Sequence, residues 1–436
     1  MVATCSRSTK SHRQAFQPLD PLRTEILTSD EESDLCSYRE GSPFSLTGAA
    51  RTITAEAGKT LLIIGPASFE LRGGEASVLG APLDSSRRVV VRGKQTPVEI
   101  HSSAGFRVWL GEDGGVEELG GSTIPLSWRE AASALSQLDE GTAVVIGGGD
   151  AGKTTLCTFL ANSMLSEGKR VSVVDADIGQ TDLGPPTTMA AADVTRHAVN
   201  LSEVEPSERL FIGLTSPGRV KGKVIRGVKR LVACRAGHGK LAIVNTDGWV
   251  KGSEAVTYKV QMLDELKPDI ALGIGTGDNT SEILQAGNRA TLLARSPDII
   301  KERTQVDRRE LRALGYQKYL AGASVKVFRS DRTGVQSALS SEPLHLNRLS
   351  RSQVEDLKDA IVGFLDAGGF LQEIGILKDV IPSNKTVKIR SRIAVTPSKI
   401  EIGGVRLSDD GRELGYVRRY EQGGEASRTY QSPLRL

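Results

Sequence analysis

Residues 147–155 read Gly147, Gly148, Gly149, Asp150, Ala151, Gly152, Lys153, Thr154 and Thr155, and fit G-x-x-x-x-G-K-[S/T] in full. Glycines let successive backbone N–H groups turn inward around phosphate oxygens. A helix opening at the loop's end adds the positive end of its dipole. Lys153 is then placed to reach the β- and γ-phosphates of a nucleoside triphosphate, and the Thr154 hydroxyl to ligate Mg²⁺. About twenty residues on, Asp175-Ala-Asp177-Ile-Gly-Gln180 puts two carboxylates at a strand end. Residues two apart on a regular strand share a face. One carboxylate could act as base while the other supports a metal or the loop; a simple turn cap is the bland alternative. The five histidines show no metal-ligand spacing and the four cysteines no CxxC pair, so any metal should be oxygen-bound.

The flanks suit this chemistry. TAVVI precedes the loop as a buried strand, TLCTFLANSML follows as a helix, and RVSVVDADIGQ, LAIVNTDGW and PDIALGIG read as further strands. Strand and helix alternate from about residue 126 to 322, which predicts an α/β domain with a parallel sheet between helices. Residues 45–125 read instead as short strands between glycine, proline and serine clusters, including LLIIG and RRVVVRG, and predict a small β-sandwich or barrel. The texture turns to β again in ASVKVFRS, TVKIRSRIAV and KIEIGGVRLS. The expected plan is a disordered tail over 1–22, a β domain over 23–125, a central domain with a lid over 126–322, and a mainly β domain over 323–436.

A 39% apolar and 25% charged composition fits a soluble globular chain. No apolar run reaches the roughly 18 residues of a membrane helix, and the polar, basic start lacks the apolar core of a secretory signal. Four scattered cysteines favour a reducing, cytoplasmic setting. A net charge of +3 does not choose a partner, but two local runs are basic. Residues 219–235 carry seven basic residues and no acid, and a second run spans Lys301 to Lys318. Each is either a solvated face or a phosphate-binding one. No N-K-x-D guanine reader follows a later strand, and Gly148 stands where a MinD-like ATPase would carry lysine.

Taken together, the motifs resemble the polynucleotide 5′-hydroxyl kinases of the Clp1, Grc3 and Nol9 group, in their compact archaeal form. GGGDAGKTTL is similar to G-x-x-D-x-G-K-S-T, and DADIGQTDLGPP to D-x-D-x-G-Q followed by P-P. FIGLTSPG matches the group's F-x-G-x-T-S/T-P segment. VNTDGWVKGSE resembles N-T-x-G-W-x-x-G-x-G, with Glu254 replacing the last glycine and Asp247 adding a carboxylate; either could alter acceptor preference. RTQVDRRELR resembles an arginine-rich lid helix, GFLDAGGFLQEIGIL a closing β segment, and TLLIIGPASFELRGGEASVLG the N-terminal domain. The matches run in order over most of residues 45–415.

The resemblance implies a role for each matching residue. Lys153 and Thr154 would bind phosphates and Mg²⁺, and Asp177 would be the general base that takes the proton of a 5′-hydroxyl. Asp177 and Gln180 would help Thr154 hold the metal or its waters. Thr215 and Ser216 would clasp the acceptor strand. Trp249 would stack on an acceptor base, worth about 1–3 kcal/mol, or else be a core aromatic. Arg303 and Arg308 would be the lid arginines that neutralise charge on the transferring phosphoryl group. Arg309 and Arg312 could face the acceptor backbone or only solvent. The implied activity is ATP-dependent phosphorylation of the 5′-hydroxyl of RNA, with DNA a second acceptor, other nucleoside triphosphates as further donors and protein partners open. The alternatives are an ATP-binding scaffold in an RNA-processing assembly and a regulatory hydrolase.

Overall fold

A computed structural model describes residues 50–418, apart from 92–94, 236–238, 276–278, 288, 300 and 301. The expected tail over 1–22, the first residues of the N-terminal β domain, Cys5, Cys36 and Lys301 lie outside the described residues. The chain divides into two compact units, one holding 1–77 and 83–121, the other Val78–Pro82 and Ser122–Leu436.

The described part of the first unit is β-structured. Arg51–Ala55, Ala104–Leu110, Ala67–Gly73 and Arg88–Val91 form an antiparallel four-stranded sheet, and Lys59–Ile64 pairs with Gln95–Ile100 and Gly115–Gly120 in another. Alternating side chains of these strands (Leu61, Ile63, Phe69, Phe106 and Val108) are fully buried, as expected where one face of each sheet covers a core.

The second unit is built on a seven-stranded sheet. Its elements are α1 (Leu126–Ser136), β1 (Gly141–Gly147), α2 (Lys153–Ser166), β2 (Arg170–Ala176), β3 (Thr188–Val194), β4 (Glu208–Phe211), α3 (Lys221–Arg235), β5 (Lys240–Thr246), α4 (Ser253–Leu266), β6 (Ile270–Ile274), α5 (Thr280–Gln285), β7 (Ala290–Ala294) and α6 (Gln305–Leu320). The strand order is β4-β3-β2-β5-β1-β6-β7. From β2 to β7 neighbours run parallel, while β3 and β4 pair antiparallel at the edge. The sheet is therefore mixed, not wholly parallel as the alternation suggested. The reason is local: after β2 the chain turns back through DIGQTDLGPP without a helix, and a helix-free return of this length makes an antiparallel neighbour. The central strands β1 and β5 are buried on both faces, which is why they read as unbroken apolar runs.

After α6 come β8 (Ser324–Arg329), β9 (Gly334–Ser337), α7 (Arg351–Leu357), β10 (Ala360–Leu365), β11 (Leu371–Ile381), β12 (Thr386–Ser391), β13 (Lys399–Leu407) and β14 (Glu413–Tyr416). They form a second sheet in the order β8-β12-β11-β10-β13-β9, with β14 added to β13. One apolar core runs from Val144 and Val174 through Phe211 and Val228 to Ile361, Ile374 and Leu407, so both sheets share it. Close backbone approach joins them: Gly404 N donates to Gly213 O at 2.8 Å, and a Cβ on Gly213 would stand 2.9 Å from Gly403 Cα.

Candidate active site

Gly147 ends β1 where a Cβ would meet Ile274 O at 2.4 Å, so only glycine fits. The loop then turns through Asp150 at φ 60° and Gly152 at φ 98°, left-handed conformations that glycine and short polar residues accept. Gly148 is buried and Gly149 exposed at the loop's mouth, and Ala151 O accepts from Ser296 Oγ at 2.9 Å. Lys153, Thr154 and Thr155 form the first turn of α2. Lys153 Nζ is buried and donates to Gly148 O at 2.7 Å. Burial lowers its pKa, with Asp177 the main charge opposing that fall.

The two carboxylates after β2 divide their work. Asp175 is fully buried and holds the turn together. Its Oδ2 accepts from Thr181 Oγ1 at 2.8 Å and Asp182 N at 2.7 Å; its Oδ1 accepts from Asn245 Nδ2 at 3.0 Å and Asp177 N at 3.2 Å. Burial, with Asp182 and Asp177 nearby, pushes it up to about 6. Asp177 lies one residue past the strand and does not repeat that environment. Its Oδ1 accepts from Gly179 N at 3.1 Å and Gln180 N at 3.0 Å, and its Oδ2 takes no hydrogen bond from the described residues. Burial raises its pKa, and Lys153 is the chief opposing charge. A carboxylate held by one oxygen, with the other free and its basicity raised, suits proton abstraction.

The lid closes on the phosphate loop. α6 opens with a capping box in which Asp307 N donates to Thr304 Oγ1 at 3.1 Å and Thr304 N to Asp307 Oδ2 at 2.8 Å. The cap places Arg303 just before the helix and Arg308 on its first turn, and both reach Asp150. Arg308 Nη2 lies 2.7 Å from Asp150 Oδ2; Arg303 N donates to the same oxygen at 3.0 Å, and Arg303 Nη1 lies 3.4 Å from Oδ1. Gln180 Nε2 donates to Arg308 O at 3.2 Å, tying the lid to the Asp177 turn as well. Arg309 is exposed. Arg312 faces neither acceptor nor solvent: Nε and Nη2 fork onto Glu413 Oε1 and Oε2 at 2.5 and 2.9 Å.

On the opposite side, the loop after β4 carries Thr215, half-buried, and Ser216, exposed. It leans on the Asp177 turn, since a Cβ on Gly179 would stand 2.8 Å from Thr215 O. Trp249 is half-buried. One ring face stacks on Tyr258 at 5.7 Å between centroids, while part of the indole stays accessible near Gly218. One expectation here needs correction. Asp247 does not face an acceptor: it is buried, and its Oδ2 accepts from Tyr258 OH and from Lys259 Nζ, both at 2.9 Å. Glu254, by contrast, stays exposed, paired with Lys221 at 2.6 Å, and its expected influence on the acceptor is not contradicted. The basic run over 219–235 is also largely spent within the protein. Lys223 pairs with Glu401, Lys229 with Glu265 and Arg235 with Asp193 and Glu208, while Arg230 lies over the Phe370 ring. α3 is thus mainly a docking helix. Its composition looked like a phosphate track because the acids that match it are remote in sequence.

Residues 147–322 match the family model described as mRNA cleavage and polyadenylation factor CLP1 P-loop. Over these residues the chain is similar to the Clp1 P-loop family. Its archaeal relatives include the polyribonucleotide 5′-hydroxyl-kinase of Pyrococcus horikoshii, 28% identical over 68% of this chain and 94% of that one. A namesake from Methanocaldococcus jannaschii is 27% identical over 68% and 95%. The Clp1 polyribonucleotide 5′-hydroxyl-kinase of Danio rerio is 27% identical over 58% of this chain and 62% of its own length. The solved structure of Clp1p in complex with Pcf11p shares the fold, with a TM-score of 0.64 at 13% identity over 82% of this chain and 98% of that one.

The phosphate loop, the Asp177 turn, the Thr215 loop, the Gly248 segment and the lid helix are linked by direct contacts, and the structure adds residues that sequence reading missed. Asn245 Nδ2 donates to Thr154 Oγ1 at 3.2 Å and to Asp175 at 3.0 Å, while its buried Oδ1 has no partner. The VNTDGWVKGSE match contains it but gives it no role. Lys259, fully buried, also donates to Asp247 O at 2.9 Å. Its signal was faint: a lysine on the apolar face of an amphipathic helix. Gly248 packs on the phosphate loop, where a Cβ would stand 2.8 Å from Gly149 Cα.

For a divalent cation, the expected oxygen donors are Thr154 on the loop and Asp177 and Gln180 on the turn after β2, directly or through water. Among the described residues no cluster of three or more carboxylate, histidine or cysteine ligands forms. This set fits Mg²⁺, which keeps water and is held by one or two carboxylates together with substrate phosphates.

Proposed function

We propose that this protein transfers the γ-phosphoryl group of ATP to the 5′-hydroxyl of RNA, with DNA as a second acceptor. The observation that carries the reading is the placement of Asp177: one oxygen fixed by its own turn, the other free, Lys153 beside it, and two lid arginines drawn over the same loop. The naming of the archaeal relatives as polyribonucleotide 5′-hydroxyl-kinases supports the acceptor class.

Residues 147–155 would hold the triphosphate through loop N–H groups and Lys153, whose ammonium would exchange Gly148 O for phosphate oxygen. Bound Mg²⁺, held through Thr154, Asp177 and Gln180 or their waters, would neutralise phosphate charge. The acceptor oxygen attacks the γ-phosphorus in line and gives its proton to Asp177; the bond to the β–γ bridging oxygen breaks and ADP leaves. Arg303 and Arg308 would leave Asp150 for the charge that develops on the transferring group. Thr215 and Ser216 would hold the acceptor backbone and Trp249 its base. Among the described residues, no helix is long and apolar enough to cross a membrane. A cytoplasmic site of action is part of the proposal, and rests on the scattered, free Cys157 and Cys234.

The test is transfer of γ-labelled phosphate from ATP to a 5′-hydroxyl RNA oligonucleotide with Mg²⁺, beside Lys153→Ala. Label on the 5′ end of RNA, lost in the variant, supports the kinase. ATP binding without transfer would overturn it in favour of the scaffold alternative. Release of free phosphate alone would indicate a hydrolase.

A further inference from the structure

We propose that Tyr416, on the C-terminal sheet, is a second base-stacking platform for a single-stranded nucleic-acid acceptor; this rests on the kinase reading above. β14 is an edge strand paired with β13 alone among the described strands. Leu414 and Tyr416 are 56% and 55% exposed. The ring lies open while its hydroxyl is fixed, 3.2 Å from Thr215 Oγ1.

The strand that carries this ring is tied on both sides of it. Glu413, three residues before it, is gripped by the Arg312 fork on the lid helix at 2.5 and 2.9 Å. Val417 N, one residue after it, donates to Gly404 O at 2.8 Å, and Gly404 N donates to Gly213 O at 2.8 Å, at the root of the Thr215 loop. A continuous line of contact therefore runs from Asp177 through Gly179 and Thr215 to Tyr416. At the far end of the same loop, a Cβ on Gly218 would stand 3.9 Å from the Trp249 ring. Three residue steps separate Thr215 from Gly218, at most about 11 Å of chain. The two aromatics thus flank one short segment, within reach of neighbouring nucleotides on one strand.

The local charge favours nucleic acid over an acidic or apolar partner. Arg219, exposed, follows this loop and forms no ion pair with a described residue, in contrast to the matched cations of α3. Arg309 is exposed on the lid helix, three residues before Arg312. Exposed aromatic and arginine side chains on adjoining segments are what sequence-tolerant single-strand binding uses.

The experiment compares Tyr416→Ala and Tyr416→Phe with the unaltered protein. The acceptors are 5′-hydroxyl RNA oligonucleotides, intact or carrying one abasic residue among the first three nucleotides. Tyr416→Ala should raise the acceptor KM roughly fivefold or more, the equivalent of one lost stack, with the ATP KM unchanged. Tyr416→Phe should stay close to the unaltered protein, because the ring remains. At one abasic position the alanine variant and the unaltered protein should converge. Equal losses in both variants would overturn the proposal, since the hydroxyl's grip on Thr215 would then be what matters. An unchanged acceptor KM in Tyr416→Ala, or a loss that persists at every abasic position, would also overturn it. Equilibrium binding of the same oligonucleotides, by fluorescence anisotropy without ATP, reads the subsite separately from catalysis. Weaker binding by Tyr416→Ala in a protein that transfers no phosphate would reject the kinase and keep the platform.

Discussion

Asp150 is an acid inside a loop built for anions, and alone it would repel the triphosphate. The structure balances it with Arg303 and Arg308, so its charge serves to park both arginines beside the place where phosphoryl charge would develop. Asp150→Ala should therefore leave ATP affinity intact or tighten it, while kcat falls on the order of a hundredfold as the arginines lose their station. Steady-state kinetics beside calorimetric ATP binding separates the two. Asp177→Asn should keep ATP binding and lose transfer by about 10²- to 10⁴-fold, the usual range for a general base; retained activity in single-turnover assays would remove it from that role. Deeper in, Asp247→Ala strips the fully buried Lys259 of its ion pair. Loss of one partner from a buried pair costs about 3–5 kcal/mol, to be read from urea denaturation.

Among the elements, the segment after β5 touches both halves of the proposed reaction. Gly248 lies against Gly149 and Gly148, while the next residue, Trp249, stacks on Tyr258 of α4. A methyl group at Gly248 would have to displace phosphate-loop backbone. Gly248→Ala is therefore expected to weaken ATP and acceptor binding together, whereas Trp249→Ala should weaken the acceptor alone; paired titrations with each ligand distinguish them. The lid helix α6 is similarly tied at two points, at its capping box and through Arg312 to β14. These links explain why the arginine-rich stretch is not uniform. Arg303 and Arg308 meet the phosphate loop, Arg312 is structural and Arg309 is left outward.

Across the whole molecule, the α/β sheet and the C-terminal sheet share one apolar core, and Lys223 of α3 bridges to Glu401 of β13 at 2.8 Å. A chain cut after Leu320 would uncover Phe211, which packs on Gly363, and would leave Lys223 without Glu401. It should show no cooperative thermal transition, whereas an independently folding central domain would keep one. Much was determined by the sequence alone. The phosphate loop, its lysine and threonine, the Asp177 turn, the lid arginines and the alternation of strands and helices are local patterns, written in consecutive residues by backbone geometry and side-chain period. What only the tertiary structure decided concerns pairs distant along the chain. The acids that neutralise α3, the lysine beneath Asp247, the carboxylate that claims Arg312 and the tyrosine beside Thr215 each lie on another element. The sequence states that such charges and rings exist; which partner each one meets is set by how the sheets and helices pack, because an ion pair or a stack depends on distance in space and not on separation along the chain.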